Sequence, residues 1–320
     1  MQILITGAAG FIGFNLSKYL LDKSNIKIIG IDSLNNYYSK KLKKDRIKVL
    51  LKNKRFSFLN INILNKKKLE KIFKTKKINL VINLAAQAGV RYSLIKPSEF
   101  VDNNILGFYN IINVAKNYNV KKIIYASSSS IYGESKNFPL TESQKVNPKN
   151  IYALSKKVNE EMAGVFSKQY NISFIGLRFF TVYGEWGRPD MFMMKYLTSS
   201  YNKKINFYLN NFGKHTRDFT YILDACKIIS KLIFMKKNFR NEIFNICSNN
   251  PQKLTSIIKK INSLTNKKPK LLKRRLQKAD VVKTHGNNKK IKSFTKINNF
   301  TSIDKGLNNT VSWFKEYYKY

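Results

Sequence analysis

Short apolar runs alternate with longer stretches of helical periodicity over the first 180 residues. The runs predict strands at Gln2–Thr6, Lys27–Ile31, Phe56–Ile61, Leu80–Leu84, Lys122–Ala126 and Ser173–Leu177. Between them lie amphipathic patterns near Phe11–Leu21, Lys67–Phe73, Ser98–Asn117 and Ile151–Tyr170. The last is preceded by Asn147-Pro148, which reads as a cap and a first-turn proline. Strands joined by crossover helices predict an α/β protein with a doubly wound parallel sheet. After Arg178 the regularity weakens into a glycine-containing loop, Thr181 to Asp190, followed by helical patterns near Met191–Tyr201, Tyr221–Met235 and Leu254–Leu264. This half is expected to form a smaller mixed α/β C-terminal domain that carries the substrate pocket. The expected division is residues 1–180, rejoined by 218–247, for the first domain and 181–217 with 248–320 for the second. There is no internal repeat and no long linker.

Composition changes this picture little. The chain has 320 residues, 43% of them hydrophobic, which excludes a disordered chain. Sixty Lys and Arg against 18 Asp and Glu give a net charge of +42, a value that raises the question of a nucleic-acid partner. The basic residues are 51 Lys and only 9 Arg, in a background rich in Asn and Ile. Lys, Asn and Ile share A/T-rich codons, so base composition accounts for the charge, and no nucleic-acid partner is expected. The clusters Lys66–Lys68 and Lys267–Arg275 read as solvated helix or loop faces, although the field can still draw in an anionic substrate. Cys226 and Cys247 are the two cysteines, too few for a disulfide framework or a Cys-based metal site. His215 has no partner pattern and reads as a surface residue, so no metal is expected. The chain opens on Met1-Gln2-Ile3 without a signal-peptide pattern and has no run of 18 apolar residues, which predicts a soluble, cytoplasmic protein without a membrane partner.

Candidate chemistry begins at Gly7-Ala8-Ala9-Gly10-Phe11-Ile12-Gly13, which follows a predicted strand and opens a predicted helix. In that context glycines permit a tight turn and close backbone approach to a pyrophosphate, whose charge the helix N-terminus favours. Asp32 lies at the end of the second strand, where a carboxylate accepts ribose hydroxyls and repels a 2′-phosphate. A Rossmann domain binding NAD rather than NADP is therefore expected. Farther along, Tyr152 and Lys156 stand four residues apart on one face of a predicted helix. A free phenol titrates near pH ~10, and a fixed neighbouring ammonium is expected to favour its phenolate, making Tyr152 the candidate general base and acid.

The Gly-x-x-Gly-x-x-Gly spacing resembles the extended short-chain dehydrogenase/reductase family of nucleotide-sugar epimerases and dehydratases, and the resemblance runs through nearly the whole chain. Within that family the chain is most similar to the UDP-glucuronate 4-epimerases. The stretches that carry this likeness are Ile31–Tyr38, Leu84–Ser93, Leu177–Gly184 and Trp186–Met191. Asn62 stands where the family usually places an adenine-contacting aspartate, keeping a carbonyl acceptor there, and Asn83 replaces a common histidine. The resemblance implies an NAD site formed by Gly7, Gly10, Phe11, Ile12, Gly13, Asp32, Asn62, Ile63, Leu84, Ala85, Ala86, Tyr152 and Lys156. It also implies that Lys156 holds the nicotinamide ribose, that Ser128 hydrogen-bonds the sugar hydroxyl being oxidised, and that Asn104 orders the site.

The implied reaction is NAD-dependent interconversion of UDP-glucuronate and UDP-galacturonate through a transient 4-keto sugar. The ketone is β to the C6 carboxylate, so the enzyme must restrain that group against loss of CO₂. Ser128, Ser129, Ser130 and Thr181, with Arg188, are the residues that the resemblance assigns to the sugar. Arg217 would bind the substrate diphosphate, Asp280 would accept the uridine ribose hydroxyls, and Arg91 is a further substrate-binding arginine. Arg178 is either a recognition arginine or a structural ion-pair member. Met191, Met193 and Met194 read as helix packing. Ser130 occupies a position where the family's dehydratases and decarboxylases commonly carry an acid, which favours epimerisation. A homodimer is implied as well. The alternatives are a 4-epimerase of neutral sugars (UDP-glucose or UDP-N-acetylglucosamine), a dehydratase or decarboxylase, and a noncatalytic nucleotide- or nucleic-acid-binding protein.

Overall fold

The structure, a computed structural model, describes residues 1–236 and 239–320. Its strands are β1 (Gln2–Thr6), β2 (Lys27–Asp32), β3 (Phe56–Asn60), β4 (Leu80–Asn83), β5 (Lys122–Ser128), β6 (Ser173–Phe179), β7 (Thr181–Tyr183), β8 (Phe207–Asn210), β9 (Thr216–Tyr221), β10 (Asn241–Ile246), β11 (Pro251–Lys253) and β12 (Leu271–Arg274). Among the described residues seven of these form one parallel sheet in the order β10-β6-β5-β4-β1-β2-β3. Ile3, Leu4 and Ile5 of β1 are inaccessible to solvent, because helices cover both faces of the sheet. The strand order reverses between β1 and β4, the place where an open α/β sheet leaves a crevice beyond its carboxyl ends. Thr6 Oγ1 ties the two strand ends together, donating to Asn83 Oδ1 at 2.6 Å and accepting from the Ala85 N–H at 3.0 Å.

The helices are α1 (Phe11–Lys23), α2 (Lys40–Leu51), α3 (Lys66–Thr75), α4 (Pro97–Phe100), α5 (Gly107–Asn117), α6 (Ile151–Tyr170), α7 (Phe192–Tyr201), α8 (Ile222–Phe234), α9 (Leu254–Thr265), α10 (Lys289–Thr295) and α11 (Ile303–Tyr318). The six predicted strands are all present. The stretch Ser98–Asn117 is not one regular helix: a π-helical turn, Val101–Leu106, separates α4 from α5. Asn147-Pro148 does not cap α6; that role falls to Asn150, whose Oδ1 accepts from the Ala153 N–H at 2.9 Å.

The periodicity gives no sign of α2, because this basic helix buries Leu42, Ile47 and Leu50 together with the stems of Lys43 and Arg46. Arg46 is fully buried, its Nη1 donating to Ala9 O and Tyr38 Oη, each at 2.8 Å, and its Nη2 to Trp186 O at 2.5 Å. The expected loop from Thr181 begins instead as β7, which pairs with β9 in parallel, while β11 pairs with β9 antiparallel. Likewise the basic cluster after Lys267 contains β12, paired with β8. No helix among the described residues is long and apolar enough to cross a membrane.

Candidate active site

The crevice beyond β1 and β4 begins at a glycine turn. Gly7 has φ +69°, and a Cβ on Gly13 would lie 2.1 Å from Gly7 O, so the strand can turn into α1 this tightly only without side chains. Gly10 caps α1 with no side-chain hydrogen bond, which leaves the first-turn N–H groups open to an anion. Asp32 Oδ1 accepts from the Leu34 N–H at 2.8 Å and Oδ2 from the Ala9 N–H at 3.2 Å, so the carboxylate is fixed beside the turn. Burial raises its pKa against the pull of those N–H groups and of Lys43. Lys43 reaches Asn35 O and Oδ1 at 2.8 and 2.6 Å, and burial lowers its pKa to about 8. The thirteen residues expected to hold NAD all line this one cleft. Tyr37, Tyr38, Lys43 and Gln87 line it too, without having been singled out from the sequence.

The same cleft is lined by Tyr152, Lys156 and Ser128. Burial raises the Tyr152 pKa, opposed by a hydrogen bond with Ser128 and by the charge of Arg188. Lys156 Nζ donates to Ala126 O at 2.9 Å, and burial lowers its pKa to about 8. Asn104 is buried in the π-helical turn. Its Oδ1 accepts from the Gln87 N–H at 2.7 Å, and its Nδ2 donates to Gln87 O and Ser155 Oγ at 3.0 and 2.9 Å. It thus ties the loop after β4 to α6.

A model of the NAD dependent epimerase/dehydratase family matches residues 3–247, more than half of the chain. The chain belongs to this family. It is 39% identical to the UDP-glucuronate 4-epimerase of Thermodesulfobacterium geofontis, covering 98% of this chain and 96% of the relative. It is also 39% identical to protein CapI of Staphylococcus aureus over the full length of both. Among solved structures, UDP-glucuronic acid 4-epimerase from Bacillus cereus, in complex with UDP-glucuronic acid and NAD, superimposes with a TM-score of 0.93. That comparison has 30% identity and covers 99% of this chain and all of the other. NAD is accordingly the cofactor of this family member, and the glycine turn, the open α1 N-terminus and the fixed Asp32 carboxylate fit it.

The other expected site residues lie partly in this cleft and partly beyond it. Ser129, Ser130 and Thr181 are half-buried and stand outside the cofactor cleft; Ser130 instead hydrogen-bonds Ser128. Arg188 does line the cleft, but its Nε and Nη2 are already forked onto Asp190 at 3.0 and 2.5 Å. Arg178 is a structural residue, fully engaged with buried Glu160 at 2.9 and 2.8 Å and with Tyr132. Met193 and Met194 pack in the core, whereas Met191 faces the cleft. Arg91 and Asp280 form a two-bond ion pair at 3.2 and 2.6 Å. Arg217 donates to Val281 O and Val282 O nearby, and burial lowers its pKa to about 10, against the pull of Asp280. His215 is buried, not a surface residue, with Nε2 3.8 Å from Asp280 Oδ2. No group of three or more metal-type side chains occurs among the described residues.

Proposed function

We propose that this chain is a UDP-sugar 4-epimerase that interconverts UDP-glucuronate and UDP-galacturonate through a transient 4-keto sugar. The observation that carries the reading is that Tyr152, Lys156 and Ser128 line the same cleft as the glycine turn and Asp32. The relatives named for UDP-glucuronate support the choice of sugar. In this reading residues 1–180 with 218–247 hold the cofactor, and 181–217 with 248–320 hold the nucleotide sugar. Arg91, Arg217 and Asp280 mark the nucleotide end. NAD, when bound, supplies a reversible store for the C4 hydride, so none is consumed. Tyr152 Oη takes the C4 hydroxyl proton as the ketone forms, with Ser128 Oγ orienting that hydroxyl. After the ketone has turned over, Tyr152 returns the proton as reduction occurs on the opposite face, which inverts C4.

A second reading, epimerisation of a neutral UDP-hexose, draws on the Arg188–Asp190 pair, whose charges already offset each other. Turnover of UDP-glucuronate, with UDP-glucose as competitor, separates the two. UDP-galacturonate without net NADH sustains the proposal, and Tyr152→Phe is expected to lower that turnover by about 10²–10⁴-fold. Conversion of UDP-glucose alone would establish the second reading. We further propose a homodimer formed through the α6 face of Leu154, Val158, Met162 and Val165, an apolar strip that spans consecutive turns. The two cysteines are buried and unpaired, which fits a reducing, cytoplasmic setting.

A further inference from the structure

Two motifs far apart in sequence meet over the cleft. Tyr37, from the strap after β2, donates its hydroxyl to Asp190 Oδ2 at 3.0 Å, and Asp190 receives the Arg188 fork on the same carboxylate. The Arg188 guanidinium also lies over the Tyr37 ring, 5.7 Å from its centroid. Tyr37 is held from its other side. Gly89 has φ +111°, and a Cβ there would stand 2.2 Å from Tyr37 Oη, while the Tyr92 ring packs 5.0 Å away. Tyr37 and Arg188 both line the cleft. Burial pulls the Arg188 pKa down, but Asp190 more than offsets it and keeps the charge in place.

We propose that Asp190 and Tyr37 form a clamp that fixes Arg188, which makes Asp190 a positioning residue for the arginine that faces the sugar. The inference rests on the proposed hexuronate substrate and deepens it. The fork commits Nε and Nη2 to Asp190, so Nη1 is the donor that the pair does not use, and a substrate carboxylate meets one edge of the guanidinium. The chemistry makes this placement matter. In a 4-keto hexuronate, decarboxylation breaks the C5–C6 bond, releases CO₂ and sends the electron pair into the C4–C5 enolate, which then takes a proton at C5. A cation kept at the C6 carboxylate favours the intact anion, whereas a cation at the C4 oxygen favours the enolate. Arg188 and Tyr152 line the same cleft. The clamp keeps Arg188 from swinging to the C4 oxygen. It also joins the strap beside Asp32 to the sugar end, so that cofactor cleft and carboxylate handling are set as one unit.

The test uses Asp190→Asn, with Asp190→Glu as the conservative rescue and thermal melting to confirm that each folds. The first readout needs no substrate: phenylglyoxal modification of Arg188, followed by peptide mass mapping. It is expected to run about tenfold faster in Asp190→Asn than in the parent, with Asp190→Glu near the parent rate. The second is the product of UDP-glucuronate turnover. Asp190→Asn is expected to divert turnover to UDP-pentose and CO₂, while affinity for UDP stays as in the parent. An unchanged modification rate overturns the clamp, and faster modification with unchanged products overturns its role in restraining the carboxylate. If the parent does not act on UDP-glucuronate, the proposed substrate fails, and the modification rates alone decide the clamp.

Discussion

Tyr152 and Lys156 respond to the same burial in opposite directions, since removal from water disfavours the charged form of each. The lysine gives a measurable sign. Its folded pKa, about 8, lies below the ordinary value of 10.5, so between those two values the unfolded chain binds more protons and stability rises with pH. Lys43 acts in the same sense. Lys156→Met removes one of these contributions, so thermal unfolding of the ligand-free variant is expected to gain less from pH 8 to 10.5 than that of the parent. Parallel profiles would show that the buried amine is not the source. Residues such as Gly7, Gly13 and Asp32 were legible in the sequence, because a glycine turn between strand and helix carries its chemistry locally. Tyr37 and His215 meet their partners, Asp190 and Asp280, only across long stretches of chain. Lys43 hid among 51 lysines.

At the scale of elements, α6 presents Tyr152 and Lys156 to the cleft, and Asn150 fixes where that helix starts. Asn150→Ala removes the cap and is expected to lower stability by about 1 kcal/mol, read as a lower urea midpoint at unchanged slope. An unchanged midpoint would mean that the first turn is held by its packing alone. The central parallel strands were readable because both faces of the sheet are covered there, so they carry apolar runs such as Ile3–Ile5 and Leu80–Ile82. In the C-terminal half α7, α8 and α9 fall where helical periodicity predicts them, but the short strands there were not readable. β7 and β11 have three residues each, too few to show alternation, and β12 is largely exposed and basic. In α2 the buried positions include a lysine and an arginine, whose hydrogen bonds to the cofactor strap and glycine turn are invisible to a hydrophobic pattern.

For the whole molecule, the sheet fixes a crevice, β5 and α6 bring Ser128, Tyr152 and Lys156 to it, and the +42 charge surrounds it with a field that favours anionic ligands. The face proposed for dimerisation carries Leu154 and Val165, 43% and 51% exposed. Light scattering is expected to give twice the chain mass for the parent and a single chain for the Leu154→Glu/Val165→Glu double variant. A monomeric parent, or a variant that still pairs, would contradict the proposed face. The most direct test of the central claim is proton NMR of UDP-glucuronate turned over by the purified protein in D₂O with NAD. The account predicts UDP-galacturonate that keeps its original hydrogen at C4, because the hydride leaves and returns without meeting solvent. Deuterium at C4, or no inversion at that carbon, would contradict it.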